Sequence, residues 1–206
     1  ATETERAFVS GAAVGAREPA WLASVRADAL RAFEAEGLPD RKVEDFHYTD
    51  LKTLLRKPFP PFSGAGVADV LQAQSLASRL GAHIVSVANG TVLLGAGATP
   101  QAGIAITTLG SSADDARLAF GQALEGRGSV LNALNTGLVR DGAIIRVRAG
   151  EKARPIVLHH TVSLPERGSV HVRHLIVVEE GASADILEIF ESEGAPSLTT
   201  SETVVH

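Results

Sequence analysis

The sequence predicts an α+β protein in which a helical N-terminal region is followed by a β-solenoid. Three observations predict this class. Residues 18–36 show an amphipathic helical pattern, five strand-like runs follow one another from residue 143 onward, and no helical pattern interrupts those runs. The 206 residues are 45% apolar and 21% charged, which suits a globular protein with a sizeable core. We expect an N-terminal helical region at 1–60, a connecting region of helices and strands at 61–128, and the first solenoid rungs at 129–206.

The first helix has clear start and stop signals. Pro19 suits a first helical position, and Gly37 suits the residue that ends the helix. Apolar residues recur between them at helical spacing: Trp21, Leu22, Val25, Ala29 and Phe33. The stretch VEDFHYTDLKTLL then predicts a second short helix around Thr49 to Arg56.

The connecting region mixes helical and strand patterns. A moderate helical pattern covers 66–80, and HIVSVANGTVLL follows it. In that stretch two β-prone runs flank Asn89-Gly90, the preferred two-residue hairpin turn, because both residue types tolerate positive φ. IAITTL at 104–109 predicts another strand. Helices are predicted from a cap at Ser112 through Leu124 and over VLNALNTGLV at 130–139.

Strand-like runs fill the remainder of the chain. Their first residues are 12 to 15 positions apart: Ala143, Pro155, Val170, Ala184 and Thr199. This spacing allows a sandwich, a barrel or a β-solenoid. The solenoid is favoured because no separator resembles a tight hairpin turn and no helices are available for crossovers. The runs continue almost to His206, so we expect a truncated ladder with an open edge that needs a cap or a partner.

The composition excludes several function classes. A net charge of −5 argues against binding to a nucleic-acid backbone, and no run of about eighteen apolar residues predicts a membrane span. The absence of Cys excludes disulfides, thiolate catalysis and Cys-ligated metal in this chain, and it fits a reducing compartment. GAGATP at 95–100 begins like a dinucleotide loop, but Pro100 replaces the third glycine, so we expect a turn. The sequence has neither a P-loop nor a G-x-S-x-G nucleophile motif.

Four histidines are the candidate metal ligands: His159, His160, His171 and His174. On a strand, neighbouring residues and residues three apart point to opposite faces, so neither pair can chelate one ion by itself. A site would have to be assembled across rungs or with another chain. We therefore predict structural roles for the histidines and no metal, cofactor or catalytic residues. For the adjacent carboxylates at 114–115 and 179–180 we predict solvated roles.

The stretch after the first helix contains a second candidate cluster. Glu44, Asp45, His47 and Tyr48 could together transfer protons. Packing is the favoured interpretation, in which Phe46 and Tyr48 bury apolar area beneath the first helix while the charged groups stay in water.

Residues 37–55, GLPDRKVEDFHYTDLKTLL, resemble the segment after the first helix of the SufB/SufD family. That family has Gly-x-Pro, basic residues, Glu-Asp-Trp-Lys-Tyr-Thr and a Leu. The matching residues are Gly37, Pro39, Arg41, Lys42, Glu44, Asp45, Tyr48, Thr49 and Leu51, while Phe46 replaces the usual Trp and His47 the usual Lys. NALNTGLVRDGAIIRVRAG at 132–150 is similar to the family's approach to its first rungs, and RHLIVVEEGASADILE at 173–188 is similar to its rung sequence. The lack of Cys favours the SufD type.

The resemblance implies a right-handed parallel β-helix after the helical region. It also implies a non-catalytic scaffold subunit of a cytoplasmic SufB–SufC–SufD complex that assembles iron–sulfur clusters, with a role in iron acquisition. The implied partners are SufB-like subunits and SufC-like ATPase subunits, and a homodimer through the β-helix edge is a further expectation. An iron–sulfur cluster or iron is expected at the level of the complex, with no cofactor on this chain alone.

Two other classes compete with this interpretation: a β-helix enzyme, which could be of two kinds, and a stand-alone β-helix. A β-helix carbohydrate-active enzyme would need clustered carboxylates or basic residues. A hexapeptide-type acyltransferase would need a strict six-residue repeat, which the spacing of 12 to 15 residues argues against. A stand-alone structural or adhesive β-helix would more often carry a secretion signal, and the polar stretch ATETERAFVSGAAVG does not resemble one.

Overall fold

The computed structural model describes seven parts of the chain: 1–12, 20–64, 79, 81–94, 101–111, 113–124 and 129–206. The helix predicted at 66–80 lies outside these residues except for Arg79, and the turn predicted at 95–100 lies outside them entirely. Pro19 and Ser112, which we expect at the starts of two helices, also lie outside.

The N-terminal region is helical, as predicted. Helix α1 (Glu3–Arg6) precedes the long helix α2 (Ala20–Glu36), and a 3-10 turn (Glu44–Phe46) leads to the short helix α3 (Leu51–Leu54). Helix α2 ends where Gly37 adopts a φ of +73° and donates its N–H to the Phe33 carbonyl at 2.7 Å. Glycine adopts this left-handed conformation without the strain that a side chain imposes on most other residues, so the predicted end of the helix is confirmed.

In the described residues between the N-terminal region and the later strands, the structure has three further helices with defined bounds: α4 (Ala113–Ala119), α5 (Gly121–Leu124) and α6 (Val130–Leu138). The side chain of Ser129 caps α6 by accepting a hydrogen bond from the Asn132 N–H. Buried residues of α6, among them Leu134, pack with Phe33 of α2 in one apolar cluster. Among the described helices, none has both the length and the apolar content needed to cross a membrane.

The described residues form eight strands. They are β1 (His83–Ala88), β2 (Thr91–Leu93), β3 (Ile104–Thr108), β4 (Ala143–Val147), β5 (Ile156–Leu164), β6 (Gly168–Val178), β7 (Ile186–Gly194) and β8 (Ser197–Val205). Every strand predicted from the sequence is present. The hairpin is also confirmed, because β1 and β2 pair antiparallel around Asn89 and Gly90, whose φ values are 46° and 81°.

Consecutive strands from β4 to β8 alternate between two sheets. One sheet has the order β2-β1-β5-β7 and the other β3-β4-β6-β8. Each later strand pairs in parallel with the strand two positions earlier, as β5 does with β7 and β6 with β8. No helix intervenes between these strands, so parallel pairing arises from a chain that passes back and forth between the sheets. The structure thus confirms the α+β class, with helices N-terminal to the sheets.

The core has an inner and an outer layer. The inner layer lies between the sheets and joins apolar residues of both, including Leu158 of β5 and Ile176 of β6. The outer layer lies where Leu22 of α2 and Phe120 pack against Leu175 of β6. Strand β6 is therefore buried on both faces, which explains why its polar side chains are also removed from water.

Candidate functional site

The structure separates the four candidate histidines into two pairs. All four are buried. On β5 and β6, His160 and His174 lie on the strand face whose apolar residues form the clusters between the sheets. Both histidines therefore lie within the inner layer. Their rings are edge to face, with centroids 5.2 Å apart. His159 and His171 point the opposite way, as the strand period requires. Histidines from different strands therefore meet, and neighbours in sequence do not.

Glu188 of β7 joins His160 and His174 between the sheets. His160 Nε2 lies 3.0 Å from Glu188 Oε1, and Ser201 of β8 donates its hydroxyl to the same oxygen. One potential ligand atom from each of His160, His174 and Glu188 lies within 4.8 Å of the other two. Thr203, the neighbour of His174 across the β6–β8 pairing, completes the group. We call His160, His174, Glu188, Ser201 and Thr203 the interior polar cluster.

The interior polar cluster combines a neutral imidazole with an ionised carboxylate. Burial lowers the pKa of His174 to about 4, so this ring is uncharged at neutral pH. Burial opposes ionisation of Glu188, but the hydrogen bonds from His160 and Ser201 outweigh it, and the pKa of Glu188 is lowered. A carboxylate thus keeps its charge among largely buried groups.

The interior polar cluster also contains unsatisfied polar atoms. His174 Nδ1 accepts a hydrogen bond of 2.9 Å from the Ala143 N–H, which places the proton of the neutral ring on Nε2. Within the described parts of the chain, His174 Nε2 and Thr203 Oγ1 are both buried without a hydrogen-bond partner. Buried polar atoms normally have a partner, so the cluster is suited to bind a small ligand or ion.

The two outward histidines form local hydrogen bonds. His159 Nε2 lies 2.6 Å from Glu191 Oε2. The ring nitrogens of His171 lie 2.7 Å from Thr200 Oγ1 and 2.9 Å from Ser169 Oγ. Burial lowers the pKa of His171 to about 3. These contacts support the structural role that the sequence predicts for this pair.

A buried arginine connects the helices to the sheet on its outer side. Arg173 of β6 is fully buried and donates to Asn135 and Thr136 of α6 and to Glu202 of β8. Its guanidinium also lies 4.6 Å from the ring centroid of Phe120. Burial lowers the pKa of Arg173, whereas the Glu202 carboxylate acts in the opposite direction. The group fixes α6 against β6 and β8, and sequence patterns gave no sign of it because its members come from three separate elements.

The segment after α2 differs from the prediction. Tyr48 is 96% exposed, so the expectation that Tyr48 packs beneath the first helix is wrong, and Phe46 is only half-buried. Burial is instead concentrated at 37–39, where the Leu38 N–H donates to the buried Glu5 carboxylate at 2.8 Å. The later residues form a 3-10 turn on the surface, and this turn carries Tyr48 away from the core. His47 and Tyr48 contact each other there, edge to face.

The adjacent carboxylates take part in ion pairs. Arg146 of β4 lies 2.8 Å from Asp115 Oδ1 and 3.4 Å from Glu179 Oε1. Both carboxylates therefore help to hold α4 and the end of β6 near β4. The sequence predicts solvated roles for these carboxylates, whereas the side chains of Asp115 and Glu179 are 18% and 36% exposed and both are paired with Arg146.

Sequence reasoning missed Glu188, Ser201 and Thr203 as partners of the histidines. The sequence does contain a signal for Glu188, because this residue lies on the same face of β7 as the apolar residues Ile186 and Phe190. An acidic residue in an otherwise apolar phase of a strand indicates a buried carboxylate. The pairing of β7 and β8 with strands two positions earlier was needed to place it near His160.

The fold and the interior polar cluster describe an α+β protein whose two alternating, largely parallel sheets enclose a small polar group. Comparison with known proteins identifies matches to the sequence of this chain. Residues 10–63 match the family model described as SufBD protein N-terminal region. The chain is also similar to the iron-sulfur cluster assembly protein SufD of Escherichia coli (strain K12), at 31% identity over 161 residues. That match covers 76% of this chain and 36% of SufD, so it spans about a third of the relative's length. Together these matches confirm the resemblance to an N-terminal portion of SufD.

Proposed function

We propose that this chain acts in iron–sulfur cluster assembly as a non-catalytic scaffold subunit, in a complex with SufB-like and SufC-like subunits. The observation that carries the proposal is the similarity to SufD over 76% of the chain, which extends well beyond the matched N-terminal region. Iron or an iron–sulfur cluster would be handled at the level of the complex, with a role in iron acquisition. The cytoplasm is the compartment we propose.

Some residues of the motifs that resemble the SufB/SufD family end one element of the fold or link two elements. This supports the proposal. Gly37 ends α2 beside the Glu5 carboxylate, where a side chain on residue 37 would meet the carboxylate oxygens at about 3 Å. Asp141 accepts hydrogen bonds from the N–H groups of Val92 and Gly142, linking the first hairpin to the start of β4. Burial raises the pKa of Asp141, against the effect of these hydrogen bonds. The sequence similarity therefore involves residues that determine the architecture.

Because the chain is similar to SufD, we also propose that the two sheets are the first coils of a right-handed parallel β-helix. Support comes from strands β4 to β8, which alternate between the sheets and pair in parallel without crossover helices. We further propose the three regions 1–60, 61–128 and 129–206 as units of organisation. Among the described strands, β7 and β8 are outermost in their sheets, and their outer edges are available to a further strand of a partner or a second copy.

The test is reconstitution with SufB-like and SufC-like proteins from the same organism. We expect a stable three-component complex by size-exclusion chromatography, and more cluster per complex by absorption spectroscopy than the two partners form alone. Complex formation and cluster content that do not change when this chain is omitted would contradict the proposal.

Two surface variants test whether the edge is used. Leu187 on β7 and Leu118 on α4 are exposed to nearly equal extents, 39% and 40%. We expect Leu187→Asp to weaken the complex, because β7 is an outermost strand, and Leu118→Asp to leave it unchanged. Equal effects of the two variants would exclude the β7 edge as the contact surface.

A further inference from the structure

We propose that His160, His174 and Glu188 bind one divalent transition-metal ion between the two sheets. The three residues come from three strands, β5, β6 and β7, so the fold alone brings them together. This inference does not rest on the proposed function, since a chain that bound no partner would still bind the ion.

The donor set and its spacing suit such an ion. Two imidazoles and one carboxylate ligate zinc and ferrous iron in proteins and leave coordination positions open. His160 Nε2 and Glu188 Oε1 are 3.0 Å apart. Two ligands that are each about 2.1 Å from a shared ion and about 90° apart have this separation. The closest potential ligand atoms of all three residues lie within 4.8 Å of one another, so small side-chain rotations bring them to one ion.

Two atoms of the interior polar cluster are buried without a hydrogen-bond partner in the described parts of the chain. His174 Nε2 and Thr203 Oγ1 are buried and have no hydrogen-bond partner among the described residues. In its assigned tautomer His174 Nε2 is an N–H donor without an acceptor, so it binds an ion only after its proton moves. The remaining coordination positions of the ion could take the threonine oxygen directly or through water. In the described parts of the chain, no Lys or Arg is hydrogen-bonded or ion-paired to Glu188, so its charge is available to a cation.

His174 is the weakest of the three ligands because of its tautomer. The Ala143 N–H donates to Nδ1, so the ring carries its proton on Nε2. Ligation through Nε2 requires that this proton leave to water, or that the proton move to Nδ1 and the Ala143 hydrogen bond break. Either route weakens the third ligand relative to His160 and Glu188.

An ion can reach the cluster from the side of β7. The Glu188 side chain is 28% exposed, and the neighbouring Phe190, whose ring stacks on His160, is 51% exposed. Rotation of the Phe190 side chain would uncover His160 without any movement of the backbone.

The test is titration of the purified full chain with Co²⁺ and Zn²⁺. We expect one ion per chain, the visible absorption bands of four- or five-coordinate Co²⁺, and a higher unfolding temperature with Zn²⁺. His160→Gln and Glu188→Gln should each weaken binding more than about tenfold, and His174→Gln should weaken it less. His159→Gln is the matched control, since His159 is the buried neighbour of His160 and also lies against a glutamate.

Three results would overturn the proposal. The first is less than one ion bound per chain at Co²⁺ concentrations well above that of the protein. The second is a loss of binding in His159→Gln as large as in His160→Gln. The third is an anomalous-scattering peak, in Zn²⁺-soaked crystals of the unaltered protein, away from His160 and Glu188. This last measurement needs no variant, so it decides the question even if a substitution prevents folding, and circular dichroism of each variant checks its fold.

Discussion

Replacement of Arg173 by Met would test how much the buried arginine contributes to joining the helices to the sheet. Met has a similar length, so the change removes the charge and the hydrogen bonds to Thr136, Asn135 and Glu202 while it keeps much of the volume. The partner carboxylate would remain in place without its cation.

The expected loss of unfolding free energy is about 2 kcal/mol. Removing one partner of a buried ion pair costs about 3 kcal/mol at the lower end of the usual range. The lower end applies because Glu202 is 19% exposed and keeps a 2.6 Å hydrogen bond from Asn132. About 1 kcal/mol returns, because Arg173 Nη1 is buried without a hydrogen-bond partner among the described residues and the substitution removes it.

Urea unfolding followed by tryptophan fluorescence measures this loss. The single tryptophan, Trp21, packs edge to face against Phe120, beside the Arg173 guanidinium, so its emission reports on this contact. We expect the midpoint to fall by about 1 M. The double variant Arg173→Met/Glu202→Gln should lose less than the sum of the two single changes, because the unpaired charge is gone. A change below about 0.5 kcal/mol for Arg173→Met, or full additivity in the cycle, would refute this account.

Three further changes have defined outcomes. Gly142→Ala places a Cβ 1.6 Å from a carbonyl oxygen of β6, so we expect a loss of about 3 kcal/mol of unfolding free energy in thermal unfolding. Gly110→Ala is the control, because a Cβ there would have nothing within 4 Å, and it should change the unfolding free energy by less than about 0.5 kcal/mol. Similar values for the two variants would contradict the clash. The pKa of His171 is about 3 when folded against an ordinary 6.5, so the unfolded chain takes up more protons between these values. The contribution of His171 to the unfolding free energy should therefore fall by about 1.4 kcal/mol per unit as pH drops from 6 toward 3, and His174 adds to the slope above pH 4. His171→Gln should make that part of the pH profile less steep, and identical profiles would be the contrary result. Glu5→Gln weakens the acceptor for the Leu38 N–H, and we expect it to cost about 1 kcal/mol in urea unfolding, whereas an unchanged midpoint would show that this contact does not matter.

Local signals in the sequence predicted the individual elements well. The Asn89-Gly90 turn, the glycine that ends α2 and the strands from residue 143 onward are all present. Each depends on backbone preferences or on alternation within a few residues, and both can be evaluated from neighbouring positions.

Long-range pairing was harder to predict, and the candidate site depends on it. The position of Glu188 beside His160 follows from the register between β5 and β7, which pairs Leu158 with Glu188. No local pattern specifies that register. The prediction that Tyr48 is buried was wrong for a related reason. An aromatic residue in a loop is buried only if another element covers it, and Tyr48 is 96% exposed.

The two borders of the paired sheets differ, and this difference gives the structure a polarity. On one side each sheet ends in a short antiparallel strand, β2 with three residues or β3 with five. On the other side each ends in a nine-residue strand that pairs in parallel, β7 or β8. Short edge strands discourage further pairing, whereas long regular ones act as templates for it. Among the described strands, β7 and β8 are therefore the edges at which further strands, from a longer chain or from a partner, would add, whereas β2 and β3 end their sheets.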